Sequence, residues 1–186
     1  MRRLVAVMLF TVLAASCASN EMATRTFLDP LTSVTITYAS KPIVFYRDVA
    51  GRAAYAKDYV YLGSLEVNRS GEFRYFLWLG IWKTMQDARP GQTLDGFESI
   101  VVFADGEPLP LEVAGWTPAA VGASESVYIK PVATAAESYY LVTADQLRLM
   151  AEASDIRIQT GGAQAEVYEL WDDQRIARYG LYGIVR

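Results

Sequence analysis

The densest hydrophobic pattern lies between residues 59 and 83. Two runs rich in aromatic and branched side chains, Tyr59 to Val67 and Phe73 to Lys83, flank Asn68-Arg69-Ser70-Gly71 there. Strand-forming residues on both sides of a Gly-containing loop predict a β-hairpin. In the second arm, period-two geometry sets Tyr75, Leu77, Leu79 and Ile81 on one face and Phe76, Trp78 and Trp82 on the other. Both faces are apolar. The strand is therefore expected to be covered on both sides, or else to expose Trp78 and Trp82 as a stacking platform.

The same grammar continues along the chain. Val34, Ile36 and Tyr38 alternate with Thr35 and Thr37, and Ile43 to Tyr46 follows Lys41-Pro42, predicting two short strands. Ser99 to Phe103, Asp105-Gly106 and Leu109 to Val113 predict a second hairpin, with Pro108 and Pro110 placing the return strand at an edge. Val127 to Val132 and Tyr139 to Val142 read as further strands. Ile156 to Thr160 and Ala165 to Trp171, about Gly161-Gly162, read as a third hairpin. Thr143-Ala144-Asp145-Gln146 matches a capping box, and Leu147, Met150 and Ala151 follow at helical spacing, so one helix is predicted over about 144–153. The pattern leaves Arg52 to Lys57 ambiguous and the form of 176–186 undecided. Many short strands separated by turns predict a mainly β domain, an antiparallel β-sandwich or barrel-like core with one helix.

The first residues follow a different rule. Met1-Arg2-Arg3 precedes the apolar run Leu4 to Leu13, then Ala14-Ala15-Ser16 against Cys17, the single cysteine of the chain. A charged start, an apolar stretch too short to span a bilayer and small residues before a break mark a secretory signal. Ala15-Ser16-Cys17 resembles the lipobox of bacterial lipoprotein precursors, although the position three before the cysteine is Ala14, with the branched Leu13 one place earlier. The resemblance implies lipidation of Cys17 and cleavage before it. An ordinary secretory signal cut after Ala14-Ala15-Ser16 is the alternative. A durable anchor needs two or more acyl chains, which thioether lipid plus an acylated amino terminus would supply. Ala18 after the cysteine, where the family's inner-membrane signal is Asp, implies the outer membrane. The expected organisation is a signal peptide over 1–16, a lipidated tether over 17–26 and one β-rich domain over 27–186.

Composition narrows the function. Of the 186 residues, 52% are hydrophobic and 20% charged, enough to build a core. The formal charge is -4; removing Arg2 and Arg3 leaves 15 basic residues against 21 acidic, near -6. Such a domain has no electrostatic footprint for nucleic acid. With no histidine, and with the cysteine assigned to lipid, Ser-His-Asp and Cys-His nucleophiles and His-bearing zinc sites cannot be assembled. Gly161-Gly162 lacks the further glycine and helix of a phosphate loop. Among the carboxylates, Asp95, Glu98, Asp105, Glu107, Asp172 and Asp173 lie on or beside predicted loops, where two could act on a glycoside if the fold set them roughly 5 to 10 Å apart. The alternative is that they solvate turns. No metal site and no cofactor are expected. The four lysines, Lys41, Lys57, Lys83 and Lys130, fall near strand ends or turns. These readings lead to an expected non-enzymatic lipoprotein on the periplasmic face of the outer membrane, which binds a protein partner or supports envelope assembly. A binder of a small apolar or saccharide ligand, using Trp78 and Trp82, and a carboxylate-dependent hydrolase are the alternatives.

Overall fold

The computed structural model describes residues 23–49, 56–84, 93–173 and 175–185. The expected signal peptide, Cys17 and most of Arg52 to Lys57 lie outside the described residues. Within them the strands are β1 (Thr24–Leu28), β2 (Thr35–Ala39), β3 (Ile43–Asp48), β4 (Lys57–Arg69), β5 (Glu72–Trp82), β6 (Ser99–Ala104), β7 (Glu107–Gly115), β8 (Ala136–Val142), β9 (Ile156–Thr160) and β10 (Val167–Asp172). Two helices, α1 (Ala144–Glu152) and α2 (Arg175–Ile184), flank the last two strands.

Every pairing is antiparallel. Eight strands run in the order β4-β3-β10-β9-β6-β7-β8-β5, and β5 returns to β4, so the sheet closes into a barrel. Closure removes the exposed edges that an open sheet would carry. The long β4 makes this possible by changing partners along one side. Its first half, Lys57 to Leu62, pairs with β3, and Leu65 to Asn68 pairs with β2, which carries β1 on its far edge. On its other side β4 pairs with β5 along its whole length after Lys57 and Asp58, through a two-residue turn at Ser70-Gly71. Both turn residues have positive φ, 53° and 92°, as a right-twisted hairpin demands, and Asn68 Oδ1 accepts the Gly71 amide at 2.9 Å.

Cross-strand register divides the wall into two faces. Val60, Leu62, Leu77, Leu79, Ile81, Tyr140 and Val142 share one face with Phe45, Val102, Ile158 and Tyr168, and together they fill the barrel. Each fully buried side chain of this size contributes roughly 1.5 to 3 kcal/mol. Helix α1 starts at the end of β8 with the expected capping box: Thr143 Oγ1 accepts the Gln146 amide, and Gln146 returns the bond to the Thr143 amide. Its Leu147, Met150 and Ala151 join the interior cluster. The opposite face of β4 and β5 carries Leu65, Val67, Phe76 and Trp78, and these are buried as well, under the segment 116–135.

Four sequence readings change. Val127 to Val132 is no strand: Pro131 has no amide to give, and the segment instead lays Val127 and Tyr128 against the outer wall, where the Tyr128 hydroxyl donates to the Ser64 carbonyl at 2.8 Å. Strand β1 begins at Thr24, inside the stretch expected as tether, because its backbone is taken up by β2. The prolines of β7 sit inside the barrel wall, but opposite Phe103 and Val101 in the part of the strand that pairs on one side only; β8 is met further on, at Val113 and Gly115. Residues 175–184 form a second helix. Gly180 and Gly183 cost it about 1 kcal/mol each in propensity, yet a Cβ on Gly180 would lie 2.5 Å from that of Ala39, and one on Gly183 would lie 2.8 Å from Thr24. Their absence lets α2 approach β1 and β2 closely enough to bury Ala177, Leu181 and Ile184.

Candidate binding surface on the barrel wall

Trp78 and Trp82 leave the same face of β5, and the fold uses them differently. Trp78 is fully buried, its ring stacked on Tyr128 at 4.8 Å with 24° between the planes. Its Nε1 donates to Glu137 Oε2 at 3.1 Å; the same oxygen accepts from Ser126 Oγ at 2.6 Å and from the Tyr139 hydroxyl at 3.2 Å. Burial pushes the Tyr139 phenol well above its ordinary range, which keeps it a protonated donor. Trp78 thus fastens the segment 116–135 to the wall and offers nothing to a ligand.

Trp82 is half-buried, and register gives it company. The two-residue turn pairs Arg69 with Glu72 and, ten residues back along each arm, Tyr59 with Trp82; on its other side Tyr59 faces Tyr46 of β3. Tyr59 and Trp82 stack at 5.4 Å and 17°. Trp171 completes the group, meeting Tyr46 edge-on at 5.1 Å and Tyr59 at 6.2 Å. It falls at the register shift between Leu170 and Asp172, the extra residue of a bulge in β10. Bulges re-aim side chains, and Trp171 is left 56% exposed. Lys57 crosses the group, its Nζ 4.3 Å from the centre of the Tyr46 ring and 5.7 Å from that of Trp171. It donates to Asp48 Oδ1 at 2.6 Å, and chiefly this bond raises the lysine above its ordinary pKa. The result is a row of four rings across β5, β4, β3 and β10, held by mutual contacts worth about 0.5 to 1.5 kcal/mol each, with a cation fixed over one end. Rigid aromatic surface of this kind binds at low entropic cost and is what interfaces and sugar-stacking sites are built from.

Behind this row, on the inward face, the charges neutralise one another. Arg47 reaches Asp58 at 2.7 Å and Glu166 at 2.8 Å, and Lys83 reaches Glu166 at 3.2 Å. The Tyr168 hydroxyl also donates to Glu166 at 3.2 Å, and the Thr84 amide to Asp58 at 2.8 Å. Burial raises the Tyr168 phenol, so it stays a donor. Two cations and two carboxylates are thus paired with one another at this end of the barrel, although the buried Arg47 Nε has no hydrogen-bond partner among the described residues.

Of the acids singled out from sequence, Asp105 and Asp173 both act on Arg178, and among the described residues no hydrogen bond or ion pair ties Asp95, Glu98 or Glu107 to them. Asp105 accepts the amides of Ser154 and Asp155 at 2.9 and 2.8 Å, which hold its carboxyl below the usual value. Glu98 accepts the Gly96 amide at 2.8 Å, and Asp173 pairs with Arg178 at 3.0 Å. Asp95 and Glu107 are exposed beside β6 and β7, and Asp172 ends β10. These acids serve three different connections. Among the described residues no three His, Cys, Asp or Glu side chains are grouped to hold a metal ion, and no helix is long and apolar enough to cross a membrane. No family model, curated protein or solved structure matches the chain.

Sequence reasoning missed Tyr46, Tyr59, Lys57 and Trp171. The pairing of Tyr59 with Trp82 was available from the hairpin once its turn is taken as two residues. Tyr46 and Trp171 were not, because pairing between β3 and β10 spans most of the chain.

Proposed function

We propose that the chain is an envelope lipoprotein, held to the periplasmic face of the outer membrane through Cys17, whose barrel is a non-enzymatic module that docks a protein partner on the aromatic row. The row of Tyr46, Tyr59, Trp82 and Trp171 carries this reading. The barrel interior is filled by its own side chains, so recognition falls to the outside, and the row combines exposed ring, fixed geometry and a placed cation. From Cys17 to Thr24 the chain can extend at most about 25 Å, which would keep the barrel beside the bilayer and raise its effective concentration for a weakly held partner. Mass spectrometry of the mature amino-terminal peptide tests the anchor, and Cys17→Ala should release the protein from the membrane fraction. A photo-crosslinker in place of Trp171 should give an adduct of defined mass in intact envelopes, whereas one at the exposed Glu107 should not. Equal adducts at both positions, or none at 171, would refute docking on the row.

A saccharide ligand is the second reading. It is favoured by an open pocket of about 330 Å³ beside Tyr46, where Asp48, Glu166 and Glu169 offer acceptors for hydroxyls next to an aromatic ring. Saturable quenching of tryptophan fluorescence by neutral oligosaccharides, lost in Trp171→Ala, would select it over a protein partner.

A further inference from the structure

At the other end of the same hairpin, its tip and the 3-10 turn at Pro118–Val121 enclose a pocket of about 240 Å³. Its base is formed by Val67, Phe76 and Val121, which are almost wholly covered, with Ala119 and Ala120 lining it nearer the surface. The rim is polar, with Arg69, Glu72 and Arg74. Register puts all three on the outer face of the wall, since Val67 faces Arg74 and Arg69 faces Glu72. The two arginines are therefore diagonal neighbours, with Cα atoms roughly 7 to 8 Å apart.

Their placement is unusual for surface arginines. The Arg74 guanidinium lies 5.8 Å over the centre of the Phe76 ring, which fixes it at the pocket wall. Arg69 stands directly opposite Glu72, yet no ion pair forms between them; its Nη2 lies against Gly122, where a Cβ would come within 2.5 Å. Among the described residues neither guanidinium is in an ion pair. Two like charges thus line one pocket, on a chain whose formal charge is acidic. Repulsion between them is relieved by an anion placed between their fork-shaped donors.

We propose that this pocket binds a small organic anion, a carboxylate or phosphate monoester on a short carbon chain. The anionic oxygens would be taken by Arg69 and Arg74, and the short carbon chain by Ala119 and Ala120 above the covered Val67, Phe76 and Val121. Glu72 offsets one of the two positive charges, so the site suits an anion carrying one or two charges and disfavours more highly charged anions.

Chemical-shift titration of the full chain in non-ionic detergent tests this, read at the Nε–Hε signals of Arg69 and Arg74. Butyrate and butyl phosphate are the probes, with sodium chloride at matched ionic strength as the control. At least one probe should give saturable shifts at both arginines, and the stronger of the two identifies the head group. Arg69→Gln and Arg74→Gln should each weaken binding about tenfold or more. Glu72→Gln should tighten it several-fold, an outcome that damage to the hairpin cannot produce. Shifts that chloride reproduces, absence of saturation with either probe, or equal affinity in the wild type and the arginine variants would overturn the proposal.

Discussion

Replacing Trp78 by alanine tests the packing of the wall most sharply. The indole is completely buried, stacks on Tyr128 and donates to Glu137. Truncation opens a cavity that the strand cannot close, since Trp78 sits between β4 and β8, paired with Gly63 and Tyr139. Large-to-small changes of this kind cost about 3 to 5 kcal/mol. Glu137 keeps two donors, Ser126 and Tyr139, so no further penalty for a bare buried carboxylate is added. For a chain of this length 1 kcal/mol moves the melting temperature by about 2 to 4 °C, and Trp78→Ala should lower it by about 6 to 20 °C in scanning calorimetry. Trp78→Phe keeps a ring against Tyr128 and loses only the charge-assisted bond and some volume; it should fall between the wild type and alanine. An alanine variant melting within about 2 °C of the wild type would mean that segment 116–135 does not pack on the wall, and would return Trp78 to the list of binding residues.

Gly63→Ala should destabilise by about 1 to 3 kcal/mol in denaturant titrations. Its Cβ would lie 2.3 Å from the Tyr128 ring, which cannot retreat without giving up its bond to Ser64 and its stack on Trp78. Asp29→Asn should flatten the acid limb of stability. Hydrogen bonds, first that from the Ser124 amide, lower the Asp29 carboxyl from 3.8 to about 2, so its contribution is present above about pH 4 and is lost as pH falls toward 2. Wild type and variant should therefore differ most near neutrality and converge in acid; a gap that does not narrow below pH 4 would exclude the mechanism.

Local signals in the sequence were strong enough to place most strands. The hairpin about Asn68 to Gly71, the turn at Asp105-Gly106 and the capping box at Thr143 each specify geometry through a few neighbouring residues and appear as expected, except that the first turn tightens to Ser70-Gly71 with Asn68 and Arg69 in the strand. Apolarity on both faces of β5 left double burial or an exposed platform open, and the structure buries Phe76 to Ile81 while leaving Trp82 half-buried. Where the reading failed, distance along the chain was the cause. The apolar run Val127 to Val132 resembles a strand because burial against a wall and burial within a sheet select the same side chains. Helix α2 was hidden by two glycines that serve its packing on Ala39 and Thr24 rather than its own backbone. The choice of a barrel over a sandwich rests on pairings such as β3 with β10, which no local pattern encodes. The aromatic row was half legible for the same reason: Tyr59 and Trp82 share a hairpin, whereas Tyr46 and Trp171 meet only after closure.

That seam between β3 and β10 also governs when the molecule can exist. It joins Val44, Phe45 and Tyr46 to Glu169, Leu170 and Asp172, so a chain emerging N-terminus first, from a ribosome or a translocation pore, holds an open sheet until β10 is out. Hairpins such as β4 with β5 can form early, but the cylinder is completed only when β10 arrives. Such non-local closure is slow, and until it happens β3 and β9 present bare edges to any neighbouring chain. A chain stopped after Gly162 should therefore remain open to proteolysis throughout β3, although every residue of that strand is present.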